Sequence, residues 1–151
     1  MKHMAHLGWI LPVAGGIGGY IGGILTMLYG PVGKYSFDKA NELKELIVDI
    51  RQSTSELMRR SISDFTNHPS LDPHVREVFS AYASDLKSKL QLIQGYDLIR
   101  CLRLVQLPPK TNIYKAAKLL PHLPGINPLL RQDPLHDETP SIAKKIIDLL
   151  A

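Results

Sequence analysis

The pattern of apolar and polar positions divides the chain into an uncharged N-terminal run, two amphipathic stretches and a proline-broken tail. No residue from Leu7 to Gly33 is charged, and Leu7 to Tyr29 is almost wholly apolar or glycine. At about 1.5 Å rise per residue, roughly 20 apolar residues cross a bilayer's hydrocarbon core, so the run predicts a transmembrane helix over 7–30. Glycine costs about 1 kcal/mol per residue in a water-exposed helix, whereas lipid enforces helix because unpaired backbone groups are so costly there. Gly15, Gly19 and Gly23 lie four apart, as do Ala14, Gly18 and Gly22. This doubled ladder of small residues predicts a face where another helix backbone packs closely. Trp9 and Tyr29 suit the two membrane interfaces, and Gly30-Pro31 marks the exit. Lys34, Lys39 and Lys44 outnumber Lys2, which places the body on a cytoplasm-like or matrix-like side.

From Lys34 onward the period becomes that of a charged helix. Ser36 is the expected N-cap with Asp38 in the first turn. Ala40, Leu43, Ile47, Ile50, Thr54, Leu57 and Ser61 recur at steps of three and four, and Leu46, Met58, Ile62 and Phe65 widen the stripe. Asn67-His68-Pro69 ends this helix, and Asp72-Pro73 starts another in the N-cap-then-proline order. Val75, Phe79, Tyr82, Leu86, Leu90, Ile93 and Ile99 supply its stripe, Gly95 interrupts it, and Pro108-Pro109 stop it. The fold class expected is all-α: the transmembrane helix, then an antiparallel hairpin over 35–106 (helices 36–67 and 73–106), then a tail. Residues 107–151 form that tail, with seven prolines between 107 and 140 and short helices predicted over 112–120 and 140–151. Thr139 is read as the cap of the last helix, with Pro140 at its first position. Both docking onto the hairpin and docking onto a partner suit this tail.

Charge changes the picture little. Eighteen Lys and Arg against fourteen Asp and Glu give +4, spread without any block of like charges, and the 44% hydrophobic content excludes wholesale disorder. Aromatic residues are few and not interleaved with basic ones, so nucleic acid is not an expected partner. Cys101 is the single cysteine; no internal disulfide can form, and its apolar helical surroundings predict a small buried side chain.

Candidate chemistry is sparse. Gly16, Gly18 and Gly22 miss the dinucleotide-loop spacing by one residue and lack the preceding strand and the following acid. The run is too long, and lacks the cleavage signal, for a secretory leader. The six histidines show no metal-ligand spacing; His136-Asp137-Glu138 stands alone in a loop, and no nucleophile motif is present. The expectation is therefore no enzyme, no cofactor and no metal. The pattern points to a single-pass membrane accessory, assembly or scaffold subunit, with the bilayer and other membrane-protein subunits as partners. An organelle membrane such as the mitochondrial inner membrane fits this build. Two alternatives stand beside it: a self-associating pore former that uses the glycine ladder between its own copies, and a soluble helical adaptor.

Overall fold

The computed structural model describes residues 19–26, 29–63, 69, 72–125 and 137–151. Five α-helices follow the helical segment 19–26: α1 (Pro31–Ser63), α2 (Pro73–Leu92), α3 (Tyr96–Cys101), α4 (Lys110–Leu119) and α5 (Thr139–Leu149), with a 3-10 turn at Leu120–His122. α1 packs on both α2 and α5, α2 also packs on α4 and the 3-10 turn, and α4 closes onto α5. Four helices thus form a ring in chain order around one core, with α3 as a short wedge against α1.

The core follows from the helical period. On α1 the buried positions form two interleaved sets seven apart: Gly33, Ala40, Ile47, Thr54, Ser61 and Ser36, Leu43, Ile50, Leu57. A seven-residue repeat keeps one seam facing its neighbours along the whole helix, the geometry of shallow helix crossings. α2 answers with Phe79, Ala83, Leu86 and Leu90. Ile113, Ala116 and Leu120 from α4 and its 3-10 turn, and Ala143, Ile146 and Leu150 at α5, complete the same cluster. Each helix alone would be marginal in water, so burial of these facing stripes supplies most of its stability.

The junctions have local causes. Pro31 opens α1 because its missing N–H is one that the first turn leaves unpaired in any case. Asp72 caps α2 by accepting from the His74 N–H at 2.9 Å, with Pro73 in the first turn. Just before α5, Asp137 accepts from the Thr139 N–H at 2.8 Å and also from the Ser61 hydroxyl at the far end of α1. Thr139 turns its hydroxyl to accept from the Gly125 N–H at 3.2 Å, and Glu138 N–H donates to the Gly125 carbonyl at 2.9 Å. Gly125 is bare for a reason: a Cβ there would lie 2.9 Å from both Glu138 Cβ and Ile142 Cδ1.

Three expectations are corrected here. No helix among the described residues is long and apolar enough to cross a membrane. At the end of the apolar run the described backbone joins a charged core helix: Gly30 N–H donates to Thr26 O at 2.8 Å, Lys34 N–H donates to Gly30 O at 3.0 Å, and Pro31 is a start where the sequence suggests an exit. Of the transmembrane helix expected over 7–30, residues 7–18, 27 and 28 lie outside the described residues and the described part is no such helix, so the single-pass location, the bilayer and the membrane-subunit partners that rested on it lose their support. Second, the body is not a hairpin with a tail laid over it. α4 and α5 contribute fully buried side chains, because two helices alone leave most of a wide stripe uncovered. Third, Ser36 is no N-cap; it sits buried one and a half turns inside α1.

Thr54 gives a direct test of this core. It is 0% exposed, between Ile50 and Leu57 on the seam, and its hydroxyl has no hydrogen-bond partner among the described residues. Thr54→Val keeps the branched shape and removes the unpaired group, so it raises the unfolding free energy by about 1 kcal/mol. A higher urea midpoint at unchanged slope is the expected reading; a lower midpoint would show that the hydroxyl is satisfied.

Candidate functional site

The segment 95–108 is irregular apart from the short α3. α2 ends where Ile93 turns extended, and Gly95, at φ 68° in the left-handed region, turns the chain into α3. Tyr96 is buried and its hydroxyl donates to the Pro108 carbonyl at 2.6 Å, tying the two ends of the segment together. Burial pushes the Tyr96 hydroxyl up to about 12, with Asp97 adding to the rise and Arg100 opposing it. At the end of α3, Arg103 N–H donates to Arg100 O at 3.0 Å and Leu104 N–H to Ile99 O at 3.1 Å. These bonds make a Schellman cap with Arg103 at its left-handed position, φ 53°.

This pinned wedge has two different sides. Toward the start of α1 it forms an apolar groove of about 220 Å³, lined by Tyr29, Gly33, Ser36 and Phe37 with Leu98, Ile99 and Leu104. None of the lining side chains is charged. Tyr29 is 83% exposed, and Phe37 and Leu104 are also exposed. The Ser36 hydroxyl, buried at the groove, has no hydrogen-bond partner among the described residues. Upstream, Ile21, Leu25, Tyr29 and Val32 are exposed at steps of four, four and three, so one apolar ridge runs into the groove.

Toward the middle of α1 the wedge walls a cavity of about 700 Å³. Lys44 and Arg51 from α1, Arg100 from α3 and Arg103 beyond it line this cavity, with Ile47, Val48, Val105 and Leu107 as apolar wall. Three other cations of α1, Lys39, Arg59 and Arg60, are matched. Glu42 accepts from Lys39 at 2.6 Å and from Lys89 of α2 at 2.8 Å, and these bonds hold its carboxyl down to about 2. Glu56 likewise meets Arg59 and Arg60, each at 2.9 Å.

The residues singled out from the sequence fall elsewhere. Ala14, Gly15 and Gly18 lie outside the described residues. Gly19, Gly22 and Gly23 are on the helical segment 19–26, and a Cβ built on any of them meets nothing within 4 Å, so they pack against no described part of this chain. His122 is exposed at the end of the 3-10 turn, and His136 lies outside the described residues. Cys101 is exposed on the cavity wall, not buried as its apolar neighbours suggest, because α3 ends there and its last turn faces outward.

Sequence reading overlooked the cation set. Lys44, Val48 and Arg51 share one face of α1, but helical periodicity assigns such a face to solvent. Only the fold brings residues 100–108 against it. No protein-family model matches this chain, and no curated protein or solved structure does either.

Proposed function

We propose that this protein is a non-catalytic helical adaptor whose groove between α1 and α3 receives an amphipathic helix of another protein. The observation that carries this reading is the apolar ridge Ile21–Leu25–Tyr29–Val32 running into an uncharged groove with the unpaired Ser36 hydroxyl at its wall. Helix-in-groove recognition uses such a continuous apolar line, with anchors every three or four residues. An occupant of this groove presents apolar anchors and one group able to bond Ser36. The uncharged lining selects against charged side chains, which would lose their hydration without a partner. Gly19, Gly22 and Gly23, which carry no side chain, leave room on the same segment for the partner's backbone.

Photo-crosslinking residues placed at Tyr29 and Leu104 in the full chain test this in cells. One discrete partner protein is expected at both positions, and none at Ser55, which is exposed further along α1. Leu104→Asp should abolish the crosslink from Tyr29 while the far-ultraviolet circular dichroism is unchanged. Crosslinks only to a second copy of this chain, equal crosslinking from Ser55, or no crosslink at all would each overturn the adaptor reading.

A further inference from the structure

We infer that the cavity between the middle of α1 and residues 100–108 binds a small, multiply phosphorylated molecule. Lys44, Arg51, Arg100 and Arg103 line it, and no acidic side chain does. Ala151 also lines the cavity, and even against its carboxylate the four cations leave the wall net positive, which attracts a compact polyanion. Three of the four are arginines, whose planar fork matches two phosphate oxygens at once. A volume of about 700 Å³ falls within the range of small-molecule sites, and Ile47 and Val105 offer an apolar wall for the ligand's carbon body.

Two observations independent of the charge count point the same way. Arg51 Nε is buried and has no hydrogen-bond partner among the described residues. Buried polar groups are nearly always bonded, and a guanidinium can only donate, so this arginine keeps donor capacity that no described acceptor takes up. Arg103 stands at the left-handed position of the cap that ends α3, where glycine is the usual occupant because a Cβ is crowded there. Glycine would serve the turn better. The chain accepts a left-handed backbone at a position that adds a third guanidinium to the cavity wall. The inference does not depend on what occupies the apolar groove.

The test is titration of the full chain with inorganic tripolyphosphate at fixed ionic strength, followed by calorimetry and by the rate at which a thiol reagent labels Cys101. Cys101 is the only cysteine and lies on the cavity wall, so it reports occupancy locally. Expected are one saturable site and slower labelling. Arg51→Gln should weaken binding by about tenfold or more, the loss of one charge-assisted contact. Arg103→Gly should weaken it similarly while the thermal midpoint holds or rises, a combination that a merely structural arginine would not produce. Lys115→Gln and Lys118→Gln, exposed on α4 away from the cavity, should bind as the parent does. A second arm uses phosphatidylcholine vesicles containing a bisphosphorylated inositol lipid. Vesicle binding that tripolyphosphate competes away identifies a headgroup as the source, and binding of tripolyphosphate alone identifies a free metabolite. No saturable binding, or equal losses for Arg51→Gln and the two α4 variants, would overturn the site. So would an affinity unchanged in Arg103→Gly.

Discussion

Ile146→Ala is expected to lower the unfolding free energy by about 2–5 kcal/mol, the usual cost of emptying a buried aliphatic site that relaxes only in part. Ile146 is 0% exposed on α5, the helix with the most extensive packing against α1. Domains of this size are stable by about 5–15 kcal/mol, so one substitution near the C-terminus removes a large share of the whole. The measurement is urea unfolding followed by far-ultraviolet circular dichroism, with the midpoint and slope both fitted. Lys145→Ala, one residue earlier and exposed, is the control and should stay within about 0.5 kcal/mol of the parent. The two variants must diverge if α5 is part of the core. Equal, small effects would mean that α5 merely rests on a folded hairpin.

Tyr96→Phe is expected to cost about 1–3 kcal/mol, because it leaves the buried Pro108 carbonyl without its donor. The loss should be visible at two levels. In urea, the midpoint falls at unchanged slope. Against pH, the parent carries a term that the variant lacks. The Tyr96 hydroxyl ordinarily titrates at 10.0 and in the fold is pushed up to about 12, so between these values the folded state holds a proton that the unfolded chain has released. The unfolded state then binds fewer protons, and stability falls as pH rises. This contribution is complete below pH 10 and lost through about 12 in the parent; in Tyr96→Phe that part of the slope disappears. The same variant frees one end of the segment that carries Arg100 and Arg103, so it should also weaken tripolyphosphate binding. Parallel pH profiles for the two proteins would contradict the buried, donating hydroxyl.

Parts of this architecture are legible in the amino-acid sequence. The seven-residue alternation from Ala40 to Ser61 marks a helix packed along its length, and that same row is the buried seam of α1. Asp72-Pro73 marks a helix start with its cap, and Gly95 marks a break that the fold uses as a left-handed turn. The candidate site was not legible. Lys44 and Arg51 share a face that looks solvated, and Arg100 and Arg103 read as ordinary charges near a helix end. Their convergence depends on a Schellman cap whose left-handed residue is an arginine, and no glycine is there to announce it. Cys101 misled for a related reason: apolar neighbours in sequence become neighbours in a core only where the helix continues, and α3 stops at Cys101.

The largest departure concerns the apolar start of the chain. Hydropathy measures what a segment would gain by leaving water, but not where it goes. Ile21, Leu25, Tyr29 and Val32 make the same apolar line whether they meet lipid, a partner helix or their own core. Periodicity, capping residues and proline positions act within a few residues, so the amino-acid sequence alone decides which stretches are helical and which side of each is apolar. Partners across the core are set by packing between segments distant in the chain. Tertiary structure alone therefore decided that α4 and α5 close a four-helix ring, that the apolar ridge leads into α1, and that four scattered cations share one cavity.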